Sequence, residues 1–275
     1  MAKMAGRVAI VTGASRGLGQ AMAELLAREG ARIVCAARTL NEGDHRLKGS
    51  LAATVAAIRA GGGEATAVAA DISTEAECLR LVEAARAAYG RIDMLVNNAA
   101  LNYYIPTADY PTNRWIKAFA INVHAPFILA KAVLPDMIAG GRGAIVNVGS
   151  GAGWGKPNMA AYSASKGGVF ALSAAMAYDF LHHRIRVNTV VPGGGGIISG
   201  MSLGRVGGDS SRLGQGAPGT AAGRPATGDD IANAIAFLIS PEAEAISGTV
   251  IDVGCFAHQG GPVPAKPKTS QGERP

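Results

Sequence analysis

At 275 residues with 48% hydrophobic side chains, the chain has material for one large α/β domain or two small ones. Its net charge of +6 is scattered and aromatics are few, so there is no basic stripe interleaved with aromatics; a nucleic-acid partner is not expected, and the surface is read as solvated, with some attraction for an anionic cofactor. Cys35, Cys78 and Cys255 are odd in number and far apart, and the histidines lack ligand spacing, so neither a disulfide framework nor a metal site is expected. The start lacks the apolar region of a signal peptide and no apolar stretch is read as reaching transmembrane length, which predicts a cytoplasmic protein with no membrane association.

Residues 7–12 (RVAIVT) read as a short apolar strand that runs into GASRGLG and then a helix closed near Gly30. Strand, glycine-rich turn and helix in that order form a phosphate-binding element, because glycines let the backbone approach an anion and the helix start presents free N–H groups. The spacing, Gly13, Gly17 and Gly19, is GxxxGxG. The second strand, ARIVCAART, ends without a carboxylate and is followed by Arg38. An acidic residue there would suit a ribose hydroxyl; Arg38 with Arg16 suits a 2′-phosphate, so NADP(H) is favoured over NAD(H).

A polar connection over 39–49 leads to a helix near 50–60, stopped by three glycines, and to a third strand closed by Asp71 and Ile72. Asp71 is placed either to flank an adenine or to cap the next helix. That helix covers about 75–89, and the fourth strand, IDMLVNNAA, carries Asn97 and Asn98 at its end. A long amphipathic helix over about 113–140 contains Pro126, which predicts a kink near Asn122. A fifth strand closes at Ser150, and the following helix carries Tyr162 and Lys166 four positions apart, on one face. A hydroxyl, a phenol and an ammonium at a strand's carboxyl end can form an acid–base centre, with Lys⁺ lowering the phenol pKa; a YxxxK pair alone is equally at home on a helix surface. A sixth strand ends in PGGGG, residues 194–225 read as a lid with a short helix near 200–205, and a last helix and strand precede a flexible tail over 255–275. Seven strands alternating with helices predict one Rossmann-type, doubly wound α/β domain over 1–254: a mainly parallel sheet with helices on both faces.

Taken together, TGASRGLG at 12–19, NNAA at 97–100, Asn122 in INVHAPF, Ser150, YSASK at 162–166 and Pro192–Gly193 resemble, in order, the motifs of the short-chain dehydrogenase/reductase family, over roughly 5–254. The resemblance implies hydride transfer between a nicotinamide and a carbonyl or alcohol carbon. It implies Tyr162 as general acid/base, Ser150 orienting the carbonyl oxygen, Lys166 tuning Tyr162 and holding the nicotinamide ribose, and Asn122 holding a relay water. It further implies cofactor contacts from Gly13, Ser15, Arg16, Gly17, Leu18 and Gly19, from Arg38, from Asp71 and Ile72, from Asn97 and Ala99, and from Pro192, Gly193 and Gly195. Three departures stand out: Ala100 replaces a glycine, the Ser150–Tyr162 spacing is one short, and the usual Thr after Pro192–Gly193 is missing, with Ser199 the nearest hydroxyl. Tyr103, Tyr104, Trp154, Met159, Met201 and Leu203 suggest a hydrophobic ketone or secondary alcohol as substrate. A homotetramer or homodimer through the long helices is implied by resemblance only. The alternatives are an NAD-dependent alcohol dehydrogenase, a 3-oxoacyl reductase, or a catalytically idle cofactor-binding protein.

Overall fold

Seven short runs of Val, Ile and Ala bounded by Gly, Asn and Asp become strands covered on both faces, as apolar runs without strict alternation require. The structure, a computed structural model, describes residues 2–193, 197, 199–207, 209–212 and 220–254. Its first half contains β1 (Val8–Thr12), α1 (Gly17–Arg28), β2 (Arg32–Ala37), α2 (Leu51–Ala60), β3 (Glu64–Ala69), α3 (Glu75–Tyr89) and β4 (Met94–Asn97). The second contains α4 (Thr112–Phe119), α5 (Ala125–Ala139), β5 (Gly143–Val148), α6 (Ala160–Asp179), β6 (Ile185–Pro192), α7 (Gly200–Arg205), α8 (Gly228–Ile239) and β7 (Val250–Val253).

The strands pair in the order β3-β2-β1-β4-β5-β6-β7, each pairing parallel. The chain winds outward from β1 in one direction, then returns to place β4 on its other side. That reversal opens a crevice beyond the carboxyl ends of β1 and β4, where open α/β sheets take their ligands. One core joins α1, α2 and α8 to the sheet; a second joins α3, α5 and α6 to its other face. The helix starts follow their sequences. Ser50 Oγ accepts from Ala53 N–H ahead of α2, Thr74 Oγ1 from Glu77 N–H ahead of α3, and Thr227 with Asp230 forms a capping box on α8.

Between α4 and α5 the chain makes one turn of π-helix, Ala120–His124. Pro126 has no N–H for the Asn122 carbonyl, so the ladder cannot run on unbroken, and Ala125 N–H donates five residues back to Ala120. The kink predicted near Asn122 takes this form. One sequence expectation needs correction: Thr112–Ala139 is a 28-residue helical run long and apolar enough, by length and composition, to cross a membrane. Its apolar content has another destination, because Leu129, Ala130, Val133 and Met137 are buried against α3 and the sheet. Its four charged residues, Arg114, Lys117, Lys131 and Asp136, are spread along it, so no uninterrupted apolar run marks the window.

A buried polar row crosses the sheet. Asn97 Nδ2 donates to Asn147 Oδ1 (2.8 Å), Asn147 Nδ2 to Ser173 Oγ (2.8 Å), and Thr189 Oγ1 to Ser173 Oγ (2.8 Å). Asn97, Asn147 and Thr189 are register partners on β4, β5 and β6, and Ser173 lies on α6, seven residues beyond Lys166. The row therefore fixes α6 on the sheet by directed bonds as well as by packing.

Candidate active site

The crevice holds a cleft of about 740 Å³ that runs from the β1–α1 turn, across the ends of β4 and β5, to α7. Its floor is the glycine turn. Gly13 has φ +69°, and a Cβ there would lie 2.8 Å from Asn98 Nδ2 and 3.1 Å from Ala99 Cα. A Cβ on Gly19 would run into the Gly13 carbonyl. The turn is thus closed to any larger residue and its backbone faces the cleft. α1 opens without a side-chain cap and without an acidic residue in its first turn, in contrast to α3 and α8. Its N–H groups meet no negative side chain of its own, which fits a diphosphate.

Thr12 and Asn98 tie β1 to β4 at the crevice. Thr12 Oγ1 accepts from Asn98 N–H (3.0 Å) and Ala99 N–H (3.1 Å), and Asn98 Nδ2 donates to the Thr12 carbonyl (2.8 Å). Of the cofactor residues expected from sequence, Gly13, Ser15, Arg16, Leu18, Gly19, Arg38, Asp71, Ile72, Ala99, Pro192 and Gly193 line the cleft. Gly17 shapes the turn at φ +56° without lining it, Asn97 lies beneath in the buried row, and Gly195 lies outside the described residues. Asn98, the second member of the pair, is the one at the cleft; an Asn pair at a strand end carries that signal but not which member faces out.

Arg16 does not stand free beside Arg38. Its Nε donates to the Lys48 carbonyl (2.9 Å) and its Nη2 to Thr39 Oγ1 (3.2 Å) and the Leu47 and Gly49 carbonyls (3.3 and 2.7 Å). His45, Arg46 and Leu47 of the 39–49 connection also line the cleft and went unnoticed in the sequence, where the segment has no periodicity.

At the other end, Ser150, Tyr162 and Lys166 come together. Ser150 caps a 3₁₀ turn, Gly151–Trp154, its Oγ accepting from Ala152 N–H (3.2 Å), and it is hydrogen-bonded to the Tyr162 phenol. Gly149 and Gly153 let this segment lie against the Phe170 ring, where Cβ atoms would fall 2.7 and 2.6 Å away, and this close seating accommodates the short Ser150–Tyr162 spacing. Lys166 Nζ donates to the Val148 carbonyl (2.6 Å) and lies 5.7 Å from the Tyr162 ring centre. Burial pushes the Tyr162 phenol up to about 12, with Ser150 opposing and Tyr104 adding to the rise. Burial pulls Lys166 down to about 8. The expected lowering of Tyr162 by Lys166 is therefore outweighed here: the ammonium points at a carbonyl, and desolvation decides.

Asn122 is buried and does not line the cleft. Its Oδ1 accepts from Leu101 N–H (2.8 Å), and its Nδ2 donates to the Leu101 carbonyl (2.9 Å) and Ser165 Oγ (3.0 Å). The side chain is a clasp between the β4 exit and α6, and Pro126 has no N–H to offer the Asn122 main-chain carbonyl. Tyr103, Tyr104 and Met201 line the cleft as expected, together with Ser199. Trp154 packs on Phe170 instead, and neither Met159 nor Leu203 lines it.

A parallel sheet with its crevice at the reversal point, an uncapped helix behind a glycine turn, and a Ser–Tyr–Lys cluster define a dinucleotide-dependent α/β oxidoreductase. Residues 7–200 match the short chain dehydrogenase family. An uncharacterized oxidoreductase of Methylorubrum extorquens is 35% identical over 92% of this chain and 98% of its own. A 2,5-dichloro-2,5-cyclohexadiene-1,4-diol dehydrogenase of Sphingobium indicum is 34% identical over 91% and 96%. The crystal structure of NAD+-bound xylitol dehydrogenase superposes with a TM-score of 0.79 at 31% identity, covering 91% of this chain and 98% of that one. The chain belongs to the short-chain dehydrogenase/reductase family and is an enzyme of its NAD(P)-linked oxidoreductase kind.

Proposed function

We propose that the chain is an NADP(H)-dependent oxidoreductase that interconverts a hydrophobic ketone and its secondary alcohol, with Tyr162 as general acid/base. The observation that carries the reading is the convergence of Ser150, Tyr162 and Lys166 in the same cleft as the glycine turn. Bound NADP(H) supplies or accepts a hydride at its nicotinamide. In the reducing direction Ser150 holds the substrate oxygen, and Tyr162, neutral at pH 7, gives that oxygen its proton. Lys166, still mostly charged at pH 7, supports the phenolate that remains. Lys166 then returns a proton to the Tyr162 phenolate and regains one from a water held at the Asn122 carbonyl.

Tyr103, Tyr104 and Met201 favour an apolar substrate, and the diol dehydrogenase among the relatives makes alicyclic alcohols the first to screen. A second reading, NAD-dependent alcohol oxidation, draws support from the NAD+-bound relative. We assign the chain a single domain over 1–254, a reducing cytoplasmic setting, in keeping with free buried Cys35 and Cys78, and a homodimer or homotetramer. The test is nicotinamide fluorescence titration with NADPH and NADH, followed by turnover of cyclic ketones by the native protein and Tyr162→Phe. Tight NADPH binding with turnover only in the native protein supports the reading; equal turnover in Tyr162→Phe refutes it.

A further inference from the structure

The connection between β2 and α2 has no regular structure, yet its conformation is held from inside. Arg16 grips three successive carbonyls, of residues 47–49. Asp44 Oδ2 accepts from Leu40 and Asn41 N–H (3.1 and 2.7 Å), and Glu42 Oε2 from Gly49 N–H (3.1 Å). Gly49, at φ +104°, sits so close to the glycine turn that a Cβ would fall 2.7 Å from the Ser15 carbonyl. The two carboxylates of the connection are engaged with its backbone and neither lines the cleft, whereas His45, Arg46 and Arg38 do. The two arginines and the imidazole share one corner: burial and then Arg16, Arg38 and Arg46 hold His45 below its usual value and so favour its neutral form.

We propose that Arg46, presented by this connection, pairs with Arg38 to grip the 2′-phosphate of the cofactor, and that Arg16 is the positioning residue that holds the connection in place. The inference rests on the NADP(H) reading and deepens it. The guanidinium of Arg16 has its Nε and one terminal nitrogen directed at protein oxygens, while the exposed Arg38 and Arg46 line the same cleft, in which Asp71 is the one lining carboxylate among the described residues. Two guanidinium groups from different segments can take separate phosphate oxygens. Arg16→Lys would keep the charge and lose the planar fork that spans three carbonyls.

The test uses the full chain and calorimetric titration with 2′,5′-ADP and with 5′-AMP, probes that differ only in the 2′-phosphate. The native protein should bind 2′,5′-ADP at least tenfold more tightly. Arg46→Ala should remove most of that preference and leave 5′-AMP affinity within about twofold, as expected of a lost charge-assisted contact. Arg16→Lys should lose the preference too, and tryptic cleavage after Arg46 or Lys48 should accelerate in the ligand-free protein. No preference in the native protein would sink the NADP(H) reading itself. A native preference that survives Arg46→Ala would overturn the assignment of Arg46 alone. A preference lost in Arg16→Lys without faster cleavage would make Arg16 a direct phosphate ligand and overturn its positioning role.

Discussion

Lys166 is an ammonium with 2% of its surface exposed, and replacing it should make the protein more stable at neutral pH while removing activity. Lowering its pKa from the ordinary 10.5 to about 8 means that the charged form carries a burial penalty of roughly 3 kcal/mol, at about 1.4 kcal/mol per pH unit. Lys166→Met keeps the length of the side chain and removes that penalty, but it leaves the Val148 carbonyl without its donor, a loss of about 1–2 kcal/mol. The net gain at pH 7 is about 1–2 kcal/mol. Its pH dependence has a fixed sign. The folded-state pKa is depressed, so the lysine's destabilisation is full below about 8 and gone above 10.5, where it is neutral in both states. Urea unfolding of both proteins at matched pH measures the difference, from which all other titrating groups cancel. The advantage of Lys166→Met should fall by about 3 kcal/mol between pH 7 and pH 10.5, passing through zero. A difference that stays flat with pH, or a variant less stable at pH 7, would refute the reasoning.

Tyr162→Phe should lower kcat/KM by about 10²–10⁴ while leaving the affinity for cofactor within about twofold, checked by steady-state kinetics beside fluorescence titration. Because the Tyr162 phenol is pushed up to about 12, carbonyl reduction should be flat in kcat/KM between about pH 6 and 7.5, and alcohol oxidation should rise about tenfold per pH unit. Opposite slopes in the two directions would contradict that assignment. Asn147→Ala should cost about 1–3 kcal/mol in urea unfolding, since it leaves the Asn97 amide without its acceptor in the interior, while Ser173 keeps Thr189 and the Val169 carbonyl; Asn147→Asp should not restore the loss, because a carboxylate cannot donate to Ser173.

The strands were legible because each is a short apolar run punctuated by Gly, Asn or Asp, and the first two helices because Gly30 and the glycines at 61–63 mark their ends. The cluster of Ser150, Tyr162 and Lys166 was legible for the same local reason: Tyr162 and Lys166 are fixed on one face by helix geometry, and Ser150 by the strand before it. What escaped was decided by partners far away in the chain. Arg16 and Arg38 look equivalent in sequence, and only the folded 39–49 connection shows that the first is occupied with carbonyls. Asn97 and Asn98 differ by strand pleat: one turns into the buried row and the other to the crevice. The Asn122 clasp needed Leu101 and Ser165 to be brought beside it.

The central place of β1 also bears on how the chain is made. β1 can join β2 as soon as one helical crossover has emerged, but its other edge waits for β4, and Val8 N–H meets its partner Asp93 only across 85 residues. During synthesis the strand that carries the glycine turn therefore has one row of unpaired N–H and C=O groups open to other chains. Until residue 94 has left the ribosome, β1 is an edge strand made almost wholly of Val, Ala and Ile, the kind that pairs with neighbours. Slow passage through α3 should favour aggregation of nascent chains, and a charged substitution inside β1 cannot relieve it, because that edge is later the middle of the sheet.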